Sequence, residues 1–471
     1  MAAVQLDSGL FIGFIFLVTC LVVVVRSYLR SGGAGGGHGG AAIPSPPALP
    51  VIGNLHQLGR GRHHRALCEL ARRHGPLFQL RLGSVRALVV SSASMAEAVL
   101  RHQDHVFCGW PQQHTARGTL YACRDVAFSP YGERWRRLRR VAIVHLLSAR
   151  RVDSFHALRE KEVASFVNRI RAASGGGGGG GVINLTELIV GLTHTVVSRA
   201  AFGKKLGGVE PAKVCEMVGE LADLLGTITV SDMFPRLRWV DRAMGLDARM
   251  KRTAAKLDEV LEMVLRDHEQ SRGDDDGEAR DLMDDLLSMA NGGDDHGYKL
   301  DRIDVKGLIL DMFAAGTDTV YKSMEWTMAE LIKNPAEMAK VQAEDTVLHG
   351  HRVTAGTRVM INVWAIGRDE AAWEDAGVRI QAGRFADGGD DASVEYYGGG
   401  DFWFMPFGTG RRGCPGMAFA TWLAELSVAN MACWFEWELP DGPDVQSFEV
   451  VESRGLSPGL INPLVLTAKP L

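Results

Sequence analysis

The sequence predicts a mainly α fold: one large helical domain with a small β region, preceded by one N-terminal transmembrane helix. Most of residues 94–345 has apolar residues at helical spacing, with charged faces between them. Residues 78–92 alternate and carry β-branched side chains, which favours a small hairpin sheet. Residues 9–25 contain no charged side chain. An alternative division into several separate domains finds no linker to support it.

The uncharged run is the first element along the chain. It lies at the short end of what crosses a bilayer and is longer than the core of most signal peptides. No Lys or Arg precedes it, whereas Arg26 and Arg30 follow it, so the positive-inside rule places the downstream chain in the cytosol. A cleaved signal peptide is the alternative, because small residues follow. We expect residues 1–30 to form an uncleaved, single-pass anchor.

A linker rich in glycine and proline is predicted over residues 31–54, before a single domain over 55–471. Its glycines favour a flexible tether, and the prolines of residues 44–50 prevent a helix. A later run, Gly175–Gly181, formally satisfies G-x-G-x-x-G. No strand leads into it, so we interpret the run as a loop between helices rather than a dinucleotide site.

Charge and cysteine content exclude several classes of protein. The net charge of −4 gives no basis for binding nucleic acid, which requires a concentrated basic face. The seven cysteines are odd in number and contain no C-x-x-C pair. A disulfide framework and a structural zinc site are therefore disfavoured, and a reducing compartment is favoured.

The stretch "FGTGRRGCPG", residues 407–416, surrounds one thiol with glycines and arginines. A buried structural Cys414 would need neither residue type, and a nucleophilic one would want a base that no local signature supplies. A metal thiolate fits best, as in an axial bond to haem iron. Glycines let the backbone approach the iron and direct N–H groups at the sulfur. Arginine suits a haem propionate.

The longer stretch "FWFMPFGTGRRGCPG" resembles the haem loop F-x-x-G-x-R-x-C-x-G of the cytochrome P-450 family, the haem-thiolate monooxygenases. The whole chain is similar to the plant microsomal members. The resemblance implies that haem b is the cofactor, with Cys414 as its proximal metal ligand, Arg412 as a propionate partner and the ring of Phe407 packed near the sulfur. The positions that match the fixed residues of this loop are Phe407, Gly410, Arg412, Cys414 and Gly416.

A second stretch, "LILDMFAAGTDTVYKSMEW" over residues 308–326, is apolar almost all round, as in a buried helix. It nevertheless carries Asp318, and a buried carboxylate is unfavourable unless it is paired or functional. A polar helix end is the alternative interpretation. The stretch resembles the family's A-G-x-[DE]-T motif. The resemblance implies that Ala315 and Gly316 leave room for O₂, and that Asp318 and Thr319 are catalytic residues that relay protons.

A third stretch, "YGERWRRLRR" over residues 131–140, places Trp135 and Arg139 on one helix face. It is similar to the family's W-x-x-x-R, which implies that both side chains bind haem propionates. The arginines around them form an ordinary solvated face or a docking patch for an acidic electron donor. These arginines are Arg134, Arg136, Arg137 and Arg140.

The family pattern is interrupted after the second stretch. Its members carry E-x-x-R on a later helix, and here Glu133–Arg136 and Glu269–Arg272 match by spacing but precede that stretch. No E-x-x-R follows it. Residues 333–344 resemble the helix that leads towards the missing one, and they run directly into 345–369, which resembles the strand region beyond it. We therefore expect a deletion of several dozen residues near residues 344–345.

The resemblance implies a monooxygenase that inserts one atom of O₂ into a small hydrophobic substrate of plant specialised metabolism. Since no flavin or nicotinamide motif is present, NADPH and flavins are expected to act only through a separate NADPH–cytochrome reductase in the same endoplasmic reticulum membrane. Trp110, Gln112 and Leu120 are candidate substrate contacts. The alternative is an impaired or inactive membrane protein, with or without haem, because Arg384 lacks its family partners.

Overall fold

A computed structural model describes most of the chain from residue 43 onward. The predicted anchor over residues 9–25, the junction Glu344–Asp345 and the segment around Arg384 lie outside the described residues. Within the described part, no helix is both long enough and apolar enough to cross a membrane. The described residues are 43–59, 63–175, 181–203, 211–271, 281–292, 299–333, 358–368, 402–440, 448, 450–453 and 456–470.

Helices make up most of the described structure, which confirms the mainly α prediction. They are numbered here in chain order, and short 3-10 and π turns occur between some of them. The helices are α1 (His63–His74), α2 (Ala93–Glu97), α3 (Asp104–Phe107), α4 (His114–Thr119), α5 (Glu133–Arg140), α6 (Ala149–Ser154), α7 (His156–Ala173), α8 (Leu185–Phe202), α9 (Pro211–Gly226), α10 (Val230–Met233), α11 (Arg238–Ala243), α12 (Leu246–Ser271), α13 (Leu282–Gly292), α14 (Arg302–Lys333), α15 (Val363–Ile366) and α16 (Met417–Trp434).

Helix α14 runs through the centre of the helical part. It packs most extensively against α8 and also against α16, while α7 packs on α8 and α16. Leu308, Met324 and Met328 of α14 are completely buried in the main hydrophobic cluster. The buried helix predicted over residues 308–326 is therefore confirmed, and it extends by several residues at both ends.

The first of two small sheets contains the predicted hairpin. β1 and β2 pair antiparallel around Gly83, and β4 pairs parallel to β2. Gly83 has φ of 63°, and a Cβ there would lie 2.7 Å from the ring of Phe234, so glycine is required at this turn. The strands of the protein are β1 (Leu77–Leu82), β2 (Val85–Val90), β3 (Gly181–Asn184), β4 (Arg358–Ile361), β5 (Phe435–Glu438) and β6 (Val465–Pro470).

The second sheet is antiparallel with the order β3-β6-β5 and joins distant parts of the chain. Its first residue, Gly181, is the last of the glycine run that was expected to be a loop. Gly181 pairs with Ala468, because a glycine can approach the end of α7 where a Cβ would lie 2.4 Å from the carbonyl oxygen of Ala173. The final glycine of the run therefore belongs to a strand.

The proline-rich part of the predicted linker is fastened to β1. Gln79 donates its backbone N–H to the carbonyl of Pro44 at 2.8 Å. Asn54 is completely buried, and its Nδ2 donates to the carbonyls of Pro46 and Pro47, both at 3.2 Å. These bonds hold an extended segment that has no helix or sheet partner of its own.

Candidate functional site

The loop over residues 407–416 is closed by its own backbone and leads directly into α16. Cys414 donates its N–H to the carbonyl oxygen of Phe407 at 2.9 Å, which fixes the two ends of the loop. Gly410 has φ of 72°, and a Cβ there would lie 2.6 Å from the carbonyl oxygen of Leu100. Only glycine combines that conformation with so close an approach, so the geometry of the loop explains its sequence.

The thiol of Cys414 is exposed at the end of this loop, immediately before the N-terminus of α16. Burial of the thiol by surrounding protein raises its pKa, while the N–H of Gly416 and the charge of Arg139 oppose that change. An exposed thiol within dense protein is consistent with a recess that opens on one side. A bound metal ion would supply the positive charge that makes such a thiol a thiolate.

Arg139 of α5 lies beside the cysteine loop and donates Nη2 to the carbonyl oxygen of Gly413. Its Nε is buried and has no hydrogen-bond partner in the described part of the chain. Burial lowers the pKa of Arg139. A buried donor without an acceptor is unfavourable, so this side of the guanidinium fits an anionic group such as a haem propionate.

Trp135, one turn before Arg139, has a different contact from the one expected. Its single N–H donates to the carbonyl oxygen of Val126 at 3.0 Å, so the structure does not leave that donor for a propionate. The indole ring instead lies against Arg412, whose guanidinium carbon is 4.3 Å from the ring centroid. Trp135 therefore contributes to the site by packing against the guanidinium group of Arg412.

Arg412 is surrounded by backbone carbonyls. Its Nε, Nη1 and Nη2 donate to Cys108, Val126 and Ser129 at 3.2, 3.2 and 2.7 Å. Burial, with the nearby charge of Arg139 adding to it, lowers the pKa of Arg412 to about 10. No carboxylate forms a salt bridge with either arginine among the residues described. A thiol and two half-buried guanidinium groups fit haem, which has one iron and two carboxylates.

The central helix presents an exposed polar face in the middle of the protein. Ala315 and Thr319 are one turn apart and both are exposed. Thr319 donates its hydroxyl to the carbonyl of Ala315 at 2.7 Å, and Ser323 repeats this bond one turn later at 3.0 Å. Because α16 follows Cys414 and packs on α14, the cysteine loop and this helix belong to one region.

Gly316 and Asp318 lie on other sides of α14. A Cβ on Gly316 would lie 3.3 Å from Val197, so this glycine allows α8 to approach, which differs from the expected open space for O₂. Asp318 is buried, and both of its carboxylate oxygens accept from Lys322, at 2.7 and 2.8 Å. The buried acid is therefore paired, as its environment requires.

Three residues at the site were not singled out by the sequence. Lys322 could have been found, because it lies four residues after Asp318 on a helix. Asp311 also could have been found as a second carboxylate in an apolar helix, and it accepts from the N–H of Val126 at 2.6 Å. Asp125 could not have been found from the sequence, because only the fold brings it close to Asp311.

The candidate substrate contacts lie on the segment that passes Arg412. The ring of Trp110 meets Phe128 edge to face at 5.9 Å, and Gln112 donates to the Phe128 carbonyl at 3.5 Å. Leu120 is buried. The structure thus brings Trp110 and Gln112 to one place near the cysteine loop, whereas Leu120 packs in the core.

The arginines of α5 divide into two groups. Arg136, Arg137 and Arg140 are exposed, although Arg137 pairs with Glu133 one turn away. Arg134 turns inward and pairs with Asp304 at the start of α14. The basic surface predicted from the sequence is therefore smaller than expected, since Arg134 contributes to the packing of α14.

The family model of cytochrome P-450 matches residues 43–353 and 343–458. Solved structures support the fold. A zebrafish cytochrome P-450 solved with abiraterone superposes with a TM-score of 0.66 at 21% identity, over 87% of this chain and 99% of that one. A zebrafish cytochrome P-450 solved with progesterone gives the same values.

Plant proteins are among the similar relatives. Cytochrome P-450 71A1 of Persea americana is 40% identical over 468 residues, covering 88% of this chain and 91% of the relative. Cytochrome P-450 736A117 of Prunus mume is 37% identical over 480 residues, covering 91% and 90%. Family membership carries the haem b cofactor and the monooxygenase class. The chain therefore belongs to the cytochrome P-450 family, as a haem monooxygenase of the plant type.

Proposed function

We propose that this chain inserts one oxygen atom from O₂ into a small hydrophobic substrate of plant specialised metabolism, with electrons from NADPH through a separate reductase. The observation that carries the proposal is the cysteine loop, where the exposed thiol of Cys414 lies near two half-buried guanidinium groups, Arg139 and Arg412. A structural cysteine would not need unneutralised cations around it, whereas a haem-thiolate site does.

Each residue of the site has a distinct task in this proposal. Haem b, when bound, supplies an iron centre that activates O₂ for insertion into a C–H bond. Cys414 provides the thiolate, and the N–H of Gly416 donates to its sulfur. The unpaired Nε of Arg139 and the guanidinium group of Arg412 would bind the carboxylates. These contacts fix the orientation of the group.

Proton delivery is assigned to the exposed face of α14. Thr319 holds a proton at Oγ1, which now donates to the carbonyl of Ala315 and can turn to O₂ by rotation of one side-chain bond. Asp318 lies next in sequence and is held as an ion pair by Lys322. The small side chain of Ala315 leaves the exposed face open to O₂ one turn before Thr319.

The electron donor is proposed to be an acidic reductase domain that meets the exposed arginines of α5. Arg136 and Arg140 are exposed on the helix whose other residues, Trp135 and Arg139, reach the cysteine loop. Charge on such a face raises the encounter rate, and salt screens it. Replacing Arg136 and Arg140 with Glu should therefore slow reduction and remove most of its dependence on ionic strength.

The membrane assignment rests on the uncharged run at residues 9–25, and we propose that it anchors the protein in the endoplasmic reticulum with the domain in the cytosol. An exposed apolar surface supports contact of the domain with the membrane. One part of this surface lies in residues 49–52 and the other in residues 237–244. The first part includes, and the second follows, a residue that bonds to the β1–β2 turn, where the N–H groups of Gly83 and Ser84 donate to the carbonyls of Ile52 and Met233. Protease protection in sealed microsomes tests the orientation, since the domain should be digested. The exposed side chains are Leu49, Val51, Ile52, Leu237, Trp239 and Met244.

The second candidate is a protein impaired by a deletion near Glu344–Asp345. The family model matches in two parts that overlap over residues 343–353, as occurs when part of the model has no counterpart between them. The alignment with the Persea protein spans 468 positions but covers only 88% of this 471-residue chain, so several dozen positions fall opposite gaps here. Sequencing the transcript across these codons separates the candidates, because an in-frame segment would restore the enzyme.

Reconstitution tests the proposed activity directly. The full chain, a plant reductase, NADPH and isotopically labelled O₂ are combined with a library of hydrophobic plant metabolites. One labelled oxygen atom in a product, dependent on NADPH, is the expected result. Haem-loaded protein that accepts electrons but forms no labelled product from any compound would favour the impaired candidate.

A further inference from the structure

The backbone of one residue, Val126, connects the three sequence motifs of the site. The N–H of Val126 donates to Asp311 Oδ2 on α14 at 2.6 Å. Its carbonyl oxygen accepts from Trp135 Nε1 of α5 at 3.0 Å and from Arg412 Nη1 of the cysteine loop at 3.2 Å. Val126 is itself buried. The Val126 carbonyl shares its peptide group with the N–H of Ala127, which also donates to Asp311. The orientation of this Val126–Ala127 peptide therefore sets where the N–H of Trp135 and one N–H of Arg412 point.

Asp311 holds more than one donor of the same segment. The N–H of Ala127 also donates to its Oδ2, at 3.2 Å. On the far side of the segment, Arg412 donates to the carbonyl of Ser129 at 2.7 Å. The chain from residue 126 to 129 is thus fixed between a carboxylate of the central helix and a guanidinium of the cysteine loop.

The segment is not held by its own conformational preference. Tyr121, Ala122 and Cys123, just before it, have φ of 48°, 58° and 60°. Three consecutive left-handed residues with side chains are unfavourable and persist only where surrounding contacts determine them. Long-range bonds supply such contacts: the hydroxyl of Tyr121 donates to Asp258 at 2.8 Å, and Asp311 accepts from the segment beyond.

The chemistry of Asp311 suits a fixed acceptor. Burial raises its pKa well above the ordinary range, and the nearby carboxyl of Asp125 adds to this effect. Asp125 does not compete for the same donors, because its Oδ2 accepts from the N–H of Phe128 at 2.7 Å. Burying a carboxyl group here is energetically unfavourable. Its presence therefore indicates a structural or functional role.

We propose that Asp311 is a positioning residue that, by holding the Val126–Ala127 peptide, orients Arg412 and the Trp135 ring packed against it for haem binding. This inference rests on the proposed assignment of Arg412 and Cys414 to haem. It adds Asp311, a residue of the second stretch that lies before its A-G-x-[DE]-T motif, and a route, through one peptide group, by which the central helix controls the propionate side of the site. Substitution at Asp311 therefore changes how haem is held without touching the thiolate.

The test compares Asp311→Ala and Asp311→Asn in the full chain, with Asp267→Ala of α12 as an exposed control. Asp311→Ala should free the amides of Val126 and Ala127, so that their hydrogen exchange accelerates about tenfold or more. Haem transfer to a scavenger protein should accelerate several-fold. The resonance Raman bands of the propionates should shift, while the thiolate signature of the reduced carbon monoxide complex stays.

Asp311→Asn keeps one carbonyl oxygen able to accept both N–H groups, so it should retain most of the wild-type behaviour. Haem retention and propionate bands in Asp311→Ala that match the Asp267→Ala control would overturn the inference. A defect in Asp311→Asn as large as that in Asp311→Ala would overturn it too. If Asp311→Ala does not fold, Asp311→Glu replaces it, since the longer side chain displaces the acceptor but keeps a carboxyl group.

Failure of the haem assignment would give a different result. In that case the wild-type protein itself lacks the thiolate signature, whatever residue 311 is. The exchange of the Val126 and Ala127 amides is then measured in the protein as purified. Unchanged protection of these amides from exchange in Asp311→Ala would show that Asp311 does not hold the peptide. Lost protection, together with a changed fluorescence of Trp135, would support the proposal that it does.

Discussion

Lys322 Nζ donates to both carboxylate oxygens of Asp318, at 2.7 Å to Oδ1 and 2.8 Å to Oδ2. The two residues lie one turn apart on α14, and their side chains are only 14% and 11% exposed. The proposed proton-relay acid is therefore held by a cation of the same helix. This pairing explains how a central, mainly apolar helix accommodates a carboxylate.

Replacing Lys322 with Met should destabilise the protein, because it leaves the carboxylate of Asp318 buried without a partner. Breaking one side of a largely buried pair costs about 3–5 kcal/mol. The free energy of unfolding in urea measures this loss. Lys322→Arg should retain most of the stability, and the double variant Asp318→Asn/Lys322→Met should recover part of it. Wild-type stability in Lys322→Met would show that the pair contributes nothing.

Replacing Thr319 with Ala should leave the fold and haem content intact but divert electrons from product to peroxide. Thr319 is exposed, and its hydroxyl bonds only to the carbonyl of Ala315 among the described residues. Loss of a general acid typically costs about 10²-fold or more in the step it serves. Product formed per NADPH consumed is the measurement, in a segment-restored protein if the chain as written is inactive.

Ser323→Ala is the matched control for Thr319→Ala, since Ser323 makes the same kind of bond one turn later on the same face. Its coupling of NADPH to product should stay near the wild-type value. Equal coupling in Thr319→Ala and Ser323→Ala would remove the catalytic role given to Thr319.

Asp125 should lower the stability of the protein as the pH rises towards neutrality. Burial raises the pKa of Asp125 to about 6, although the N–H of Phe128 opposes the change. The folded state keeps this proton where the unfolded chain has lost it. The contribution of Asp125 to the free energy of unfolding is fully present below about pH 4 and is lost as the pH rises through 6. The loss is about 3 kcal/mol.

Asp125→Asn should remove this loss, so that the variant gains stability relative to the wild type between pH 5 and pH 7. The asparagine oxygen can still accept from the N–H of Phe128. Asp311 has the same sign of effect, since its pKa is raised well above the ordinary range by burial and by Asp125. Parallel curves of unfolding free energy against pH for the two proteins would contradict the assignment.

Inserting a family-like segment after Glu344 should raise both haem occupancy and thermal midpoint. We expect Arg384 to stand where the family buries an arginine against a carboxylate, and the proposed deletion would remove that carboxylate. A missing partner costs about 3–5 kcal/mol, against a total stability of about 5–15 kcal/mol for a domain. The chain as written should therefore be haem-poor. Equal occupancy and midpoint in the two proteins would show that the segment is dispensable.

Local patterns predicted the elements that local forces determine. The hairpin within residues 78–92 and the buried helix over 308–326 were found because burial periodicity and apolar length decide them. The cysteine loop was found because glycine is the only residue that fits positions such as Gly410. These features depend on neighbours in sequence.

Features that depend on distant contacts could not be predicted in the same way. The N–H of Trp135 points to the Val126 carbonyl, and Gly316 faces Val197 of another helix. Both contacts are set by how α5, α8 and α14 pack, and the spacing of residues within a motif does not contain that information. The Asp125 and Asp311 carboxyls meet for the same reason.

The most direct test of the account is the absorption spectrum of the reduced carbon monoxide complex, recorded for wild type, Cys414→Ser and Cys433→Ser. Thiolate ligation gives a red-shifted Soret band. Ligation of the iron by Cys414 predicts this band in the wild type and in Cys433→Ser, and its loss in Cys414→Ser. If the chain as written holds little haem, the three spectra are recorded in the segment-restored protein. An unchanged red-shifted band in Cys414→Ser would contradict the assignment of Cys414 as the ligand.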